Sequence, residues 1–135
     1  MRIVVRAIIK NDDSLLVIKR IKNGKTYFVF PGGGVDDGES HPIALKRECK
    51  EELGLDVSVL EFMYDFDFIK KDNEPQKEYF YQCDILGGKL GSGEGEEYSP
   101  DRNSGIYEPM WIKLEELSDL DLRPIEIKNK LIAEL

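Results

Sequence analysis

The chain is 135 residues long, 41% hydrophobic and 34% charged, with a net charge of −8. Length and balance fit one folded domain over residues 1–135 with a core of its own, and they exclude a disordered chain. The acidic excess argues against a nucleic-acid polymer as partner, because phosphate backbones recruit basic surfaces; a single nucleotide needs only a few local cations.

Residues 2–9 alternate, with Ile3, Val5, Ala7 and Ile9 on one side, which predicts a strand. Arg2 and Arg6 interrupt the apolar run and remove a signal-peptide core. No later stretch reaches membrane-spanning length, so a cytoplasmic protein is expected. Asn11-Asp12-Asp13 supplies a turn, and Leu15 to Ile18 reads as the returning strand, ending in Lys19-Arg20. Arg6, Lys19 and Arg20 are candidates for contact with substrate phosphates; each also reads as a solvated strand end.

Asn23-Gly24 is a second turn, and Tyr27 to Phe30 a short aromatic strand that enters Pro31-Gly32-Gly33-Gly34. Phe30 is a candidate substrate contact. The glycines allow a sharp turn and close approach of backbone to a ligand. They form neither a Walker loop nor a dinucleotide fingerprint, since no Lys-Ser/Thr follows. Next comes an acidic helix. Ser40 is a good N-cap type, Pro42 suits the first turn, and Gly54 is placed to end the helix in a left-handed cap. From Ile43 to Gly54 there is room for about three turns.

Leu45, Cys49 and Leu53 recur every four residues as the apolar side of this helix. At roughly 100° per residue, Glu48, Glu51 and Glu52 fall in an arc of about 100° beside them. Like charges so crowded repel, and a hard divalent cation reverses the penalty, because Mg2+ uses carboxylates together with substrate phosphates. Ala44, one turn earlier on that arc, leaves room beside such an ion. The competing reading is a plain solvated face with an Arg47–Glu51 ion pair.

Residues 57–69 alternate again, with Leu60, Phe62, Tyr64, Phe66 and Phe68 on one side, read as the core face of a half-buried strand. Lys71 to Gln76 is a polar hairpin loop. Tyr79 to Leu86 is its partner strand, from which Tyr81 could stack on a base, packing being the default. Cys49 and Cys83 form no CxxC pair and no zinc set, and read as reduced thiols. Gly87 to Gly105 is a long glycine-rich loop carrying Glu94, Glu96, Glu97 and Asp101. Ile106 to Ile112 reads as an edge or bulged strand because of Pro109. Trp111 is read either as core or as a cover for a nucleobase. Leu114 to Leu120 suggests a short helix, and Ile127, Leu131, Ile132 and Leu135 share one face of a terminal one.

The stretch from Gly33 to Leu55 resembles the signature of the Nudix hydrolases. That signature is Gly, five residues, Glu, seven residues, Arg-Glu, an aliphatic, any residue, Glu-Glu, any residue, Gly, an aliphatic. Gly33, Glu39, Arg47, Glu48, Glu51, Glu52, Gly54 and Leu55 fill its fixed positions, with Cys49 standing where an aliphatic is usual. A buried free cysteine serves there as a small hydrophobe. The resemblance implies an α+β fold with a mixed β-sheet sandwiched between helices, and Mg2+- or Mn2+-dependent hydrolysis of a nucleoside diphosphate linked to another group. It assigns Glu48, Glu51, Glu52 and Gly33 to the metal, and Glu51, Glu52 or a loop glutamate to orienting or deprotonating water. Arg47 and Glu39 would buttress the loop and helix. It also implies that a loop carboxylate outside the signature, Glu96 or Glu97, assists, with Glu97 taken as a substrate contact. His41 is read as a surface residue at the helix start.

Subgroup markers beyond the signature are absent: Ile69 to Asn73 holds neither the proline of the ADP-ribose type nor the tyrosine of the dinucleoside-polyphosphate type. A nucleoside triphosphate, oxidised or not, is therefore the expected substrate. The alternatives are ADP-ribose or a nucleotide sugar, and a nucleotide-sensing module without catalysis. Partners are a small nucleotide, no nucleic-acid polymer and no membrane, with a homodimer left open.

Overall fold

The computed structural model describes residues 1–93 and 105–135, so Glu94, Glu96, Glu97 and Asp101 lie outside the described residues. The described elements are β1 (Arg2–Ile8), β2 (Lys10–Asn11), β3 (Ser14–Lys22), β4 (Lys25–Val29), β5 (Gly32–Gly34), α1 (His41–Leu53), β6 (Leu55–Ile69), β7 (Pro75–Gly88), β8 (Ile106–Lys113), β9 (Leu122–Arg123) and α2 (Ile125–Ala133). A 3-10 turn at Leu114–Asp119 stands where a short helix is predicted.

They form two sheets. One is mixed, in the order β5-β1-β7-β6, with β1 parallel to β7 and the other pairs antiparallel. The other runs β2-β3-β4-β9, with β8 antiparallel to β3 on its remaining side. Both faces of the central strands are buried, which is why they read as near-continuous apolar runs. Val5, Ala7, Leu16 and Ile18 join one core cluster with Ala44, Leu45, Cys49 and Leu53 of α1. Ile8, Leu15 and Val17 join a second with Phe30, Phe80 and with Ile127 and Leu131 of α2. Helices thus cover opposite faces of an α+β core. Burying Leu45 and Leu53, both 0% exposed, contributes about 1.5–3 kcal/mol each.

The motif helix has the predicted ends. Ser40, extended at φ −77° and ψ 162°, accepts the Ile43 amide, and Gly54, at φ 77°, donates back to the Cys49 and Lys50 carbonyls. Pro109 lies in β8, whose only partner strand among the described residues is β3.

The aromatic stripe of β6 departs from the expectation. Leu60 and Phe62 are 48% and 51% exposed, while Tyr64, Phe66 and Phe68 are only half-buried. Register shifts at Val59/Phe62 and Phe62/Tyr64 break the alternation and roll the face along the strand. Ala44, predicted to border an ion, is 0% exposed in the first core cluster instead. Trp111 packs against that same cluster. Leu135 is exposed and Ile132 half-buried, so the buried residues of α2 are Ile127, Lys128 and Leu131. Among the described residues, no helix is long and apolar enough to cross a membrane.

Candidate active site

Arg47 is the centre of the carboxylate cluster. Its Nε and Nη2 donate to Glu39 Oε2 and Oε1 at 2.8 and 2.9 Å, a bidentate pair. Nη1 donates to Glu48 Oε1 at 2.9 Å and to Glu51 Oε2 at 3.3 Å. Nη2 also reaches the Gly34 carbonyl at 3.0 Å. Because Glu39 itself accepts the Asp36 amide at 2.9 Å, one guanidinium ties α1 to the whole segment leading from β5 into the helix. The Arg47 hydrogen bonds, followed by the Asp36 amide, hold the Glu39 carboxyl down at about 2. Glu39 in turn is the main group pushing the Arg47 guanidinium above its ordinary value.

Glu52 is 8% exposed, and its Oε1 accepts the Gly32 amide at 2.8 Å. The buried carboxylate therefore pins the glycine strand, and a burial that is costly without a partner has one. Two glycines are required here. At Gly32, with φ 145°, a Cβ would run into the Val5 carbonyl; at Gly33 it would land on the Glu48 carboxyl group. Gly33 thus forms the cradle in which the Glu48 carboxylate rests. The donor set offered by Glu48, Glu51 and Glu52 is made of hard oxygens, the chemistry that suits Mg2+ or Mn2+. Among the described residues, no three Asp, Glu, His or Cys side chains close around a single point. Glu48 and Glu51 converge on Arg47 Nη1, and Glu52 is turned to Gly32.

The glycine strand also connects this cluster to a cavity. Gly32 pairs with Arg6 across β5 and β1. Arg6 Nη1 donates to the Phe30 carbonyl at 3.3 Å, and Nε to Glu78 Oε1 at 3.0 Å. Glu78 Oε2 receives Gln76 Nε2 at 3.0 Å. Arg6, Glu78 and Arg123 are the charged members of a cavity of about 390 Å³ whose walls are Phe66, Phe68, Val29 and Pro124. Its size and its mix of apolar wall with a few polar groups suit a small organic ligand.

A family model described as NUDIX domain matches residues 1–135. The chain belongs to the Nudix family. The ADP-ribose pyrophosphatase of Methanocaldococcus jannaschii is 34% identical over 96 residues, covering 68% of this chain and 56% of that protein. The 8-oxo-dGTP diphosphatase of Buchnera aphidicola is 39% identical over 69 residues, covering 51% of each. The chain spans about half the length of these curated relatives. The solution structure of the Escherichia coli ORF135 protein aligns with TM-score 0.71 at 26% identity, over 94% of this chain and 84% of that one. A MutT structure from work on Aliivibrio salmonicida and Vibrio cholerae aligns with TM-score 0.67 at 22% identity over 99% and 98%, which shows the shared Nudix fold. Nudix hydrolases use divalent cations and act on small nucleotide derivatives.

Within this Nudix domain, Gly33, Glu39, Arg47, Glu48, Glu51 and Glu52 come together as described. Of the substrate candidates, Arg6 lines the cavity. Arg20 stacks its guanidinium 4.0 Å above the Tyr107 ring, on the side of β3 that carries Leu16 and Ile18. Lys19 falls on the opposite side, across from Phe28 and Glu108, and is not part of the cavity wall. Phe30 is corrected: its ring is 1% exposed and packed edge-on to Phe80 at 5.2 Å, so only its carbonyl takes part, as the acceptor of Arg6. Tyr81 does not line that cavity. It shares the β7 side of Cys83 under α1, where its hydroxyl shares a 2.7 Å hydrogen bond with His41 Nδ1, while Glu78 and Phe80 face the other way. His41 is accordingly not a bare surface residue, since its ring also packs, tilted by 52°, against that of Tyr79 with centroids 4.7 Å apart. Glu97 lies outside the described residues.

Sequence reasoning missed Glu78, Gln76, Phe66, Phe68 and Arg123 as lining or supporting groups. A signal existed for two of them: Gln76 and Glu78 share strand parity with Phe80, and polar residues at inward positions of a strand ask for a partner or a ligand.

Proposed function

We propose that the chain is a divalent-cation-dependent hydrolase of the diphosphate linkage in a nucleoside diphosphate derivative, and that its substrate is a nucleoside triphosphate, oxidised or not, cleaved to monophosphate and pyrophosphate. The observation that carries this reading is the Arg47 assembly, which fixes Glu48 and Glu51 beside a glycine strand that Glu52 holds from one side and Arg6 from the other. Mg2+ is the cation, with Mn2+ able to replace it, held by Glu48, Glu51 and Glu52 and by the backbone at Gly33. Mg2+ needs only one or two carboxylates when substrate phosphates complete its shell, so a closed three-glutamate cage is not required. Once bound, the cation supplies neutralisation of charge developing on the phosphate oxygens.

The rest is done by the chain's own groups. Arg47 and Glu39 keep helix and loop in register, so that Glu48 and Glu51 point to the same place. Glu51, with a side chain 46% exposed and Arg47 on its Oε2 at 3.3 Å, takes the proton of the attacking water. Glu52 keeps the glycine strand close to the phosphates. The nucleoside end of the substrate occupies the cavity between Phe66, Phe68 and Pro124. The name of the archaeal relative favours a second reading, ADP-ribose or a nucleotide sugar as substrate.

One experiment tests both readings. The four ribonucleoside triphosphates, 8-oxo-dGTP, ADP-ribose and a nucleotide sugar are incubated with Mg2+, with and without excess chelator, in 18O-labelled water. The expected products are monophosphate and pyrophosphate, with the label in a phosphate group and no turnover in chelator. Preferred cleavage of ADP-ribose replaces the triphosphate assignment. Hydrolysis undiminished by chelator, release of free base, or tight binding without turnover across the panel overturns the proposal.

A further inference from the structure

We propose that Glu78, held in the cavity wall by Arg6 and Gln76, reads the Watson–Crick edge of a guanine base. The inference rests on the reading that this cavity takes the nucleoside end of the substrate. Glu78, 6% exposed, is the one carboxylate in a wall whose other members are the apolar Phe66, Phe68, Val29 and Pro124 and the cationic Arg6 and Arg123. Its charge is met by the Arg6 guanidinium at 3.0 Å on Oε1, and its other oxygen by the Gln76 amide at 3.0 Å. An ionised carboxylate has about four lone-pair sites. One bond on each oxygen therefore leaves each of them able to accept another from a ligand in the cavity.

Two acceptors side by side select a particular partner. Of the four common bases, guanine alone presents two adjacent donors on its Watson–Crick edge, N1–H and the 2-amino group, next to the O6 acceptor. Adenine presents a donor beside an acceptor, cytosine a donor beside two acceptors, and uracil a donor between two acceptors. Arg6 completes the complement: Nε and Nη1 are committed to Glu78 and to the Phe30 carbonyl, and Nη2 has no protein acceptor among the described residues. A guanidinium hydrogen on O6 next to a carboxylate on N1–H and the amino group matches guanine donor for acceptor. Gln76 and Arg6 fix the orientation of Glu78 beforehand, so little side-chain freedom is lost on binding. The Phe66 and Phe68 rings, 5.9 Å apart and inclined by 31°, provide an aromatic wall against which a planar base can lie.

The test is calorimetric binding of GMP, IMP, AMP and CMP to the full chain, followed by kcat/KM for the corresponding triphosphates. The expected result is GMP bound at least about tenfold more tightly than AMP or CMP, with IMP, which lacks the 2-amino group, in between. Glu78→Gln should weaken GMP about tenfold to 100-fold and leave AMP within threefold, so that the preference collapses rather than the affinity as a whole. Glu78→Asp, which keeps the charge opposite Arg6 but withdraws it by one methylene, should show the same selective loss and covers the case in which the amide variant does not fold. Equal binding of GMP and AMP, a preference for CMP, no detectable binding of any of the four, or equal weakening of all four in both variants overturns the proposal. The last of these is what a purely structural ion pair would give. Selective GMP binding without hydrolysis of any triphosphate would leave this assignment standing while removing the catalytic one.

Discussion

Substituting Gly33 by alanine probes the cradle without touching a carboxylate. The added Cβ would lie 2.5 and 2.6 Å from the two oxygens of Glu48. Ordinary contact between such atoms begins nearly an ångström further out, so the carboxyl group must move by about 1 Å. The obstructing atoms are the end of a side chain, so the backbone at Gly33 can stay where it is and the fold should hold. Displacement of a catalytic group by that much costs about 100-fold in rate, equivalent to about 2.7 kcal/mol of transition-state stabilisation. The assay is pyrophosphate release from a nucleoside triphosphate across a Mg2+ titration, with thermal melting run alongside. The expected result is turnover reduced about 100-fold, a higher Mg2+ requirement, and a melting temperature within a few degrees of the parent. Gly87→Ala serves as control, since a Cβ there would meet nothing nearer than 3.9 Å. Activity of Gly33→Ala within threefold of the parent would refute the link between the glycine cradle and the Glu48 carboxylate.

Glu51→Gln and Glu52→Gln should each lower turnover by two or more orders of magnitude with the fold retained, because glutamine at 52 can still accept the Gly32 amide; full activity in both variants counts against the assignment. Arg47→Lys should lower kcat about tenfold to 100-fold, since a lysine cannot reproduce the two-pronged bond to Glu39 while also holding Glu48 and Glu51; parent-like rates would mean the assembly is ornamental to catalysis. Folding stability should carry an acid limb from Glu39. Its carboxyl is held at about 2 against an ordinary value of 4.5, so the stabilisation is complete above pH 4.5 and disappears as pH falls towards 2. Urea midpoints measured across that window should flatten in Glu39→Gln, and an unchanged slope would contradict the cause given for the shift.

The motif was legible because its spacing and the helix period agree: caps at Ser40 and Gly54, an apolar side at Leu45, Cys49 and Leu53, and carboxylates in the next arc. The pairing of Arg47 with Glu39 was legible as a role only through the family resemblance, since eight residues of separation specify no contact by themselves. The cavity was much less legible. Phe66 and Phe68 look like core from their alternation, and only the register shifts of β6 carry them to its wall. Arg123 and Pro124 reach that wall because β9 lies parallel to β4, a pairing between residues far apart in sequence that no local pattern records. The sides taken by Phe30 and Tyr81 were not legible for a common reason: an aromatic residue next to a glycine-rich loop or in a two-faced sheet can serve either side of its strand. Which side it takes is decided by the layers packed there, Phe80 in one case and α1 with His41 in the other.

Cys49 gives the site a natural reporter. It stands on α1 between Glu48 and Glu52, is 0% exposed, and has a thiol that burial pushes well above its ordinary range. While the helix stays docked, a thiol reagent has neither access nor thiolate, so modification can proceed only through openings that lift α1 from the sheet. The rate of labelling is therefore a clock for undocking of the motif helix, read without any engineered probe. Cys83, buried on β7 with its thiol pushed up to about 12, times the exposure of the opposing strand in the same sample. The ratio of the two rates separates a helix that swings away alone from a molecule that opens as a whole.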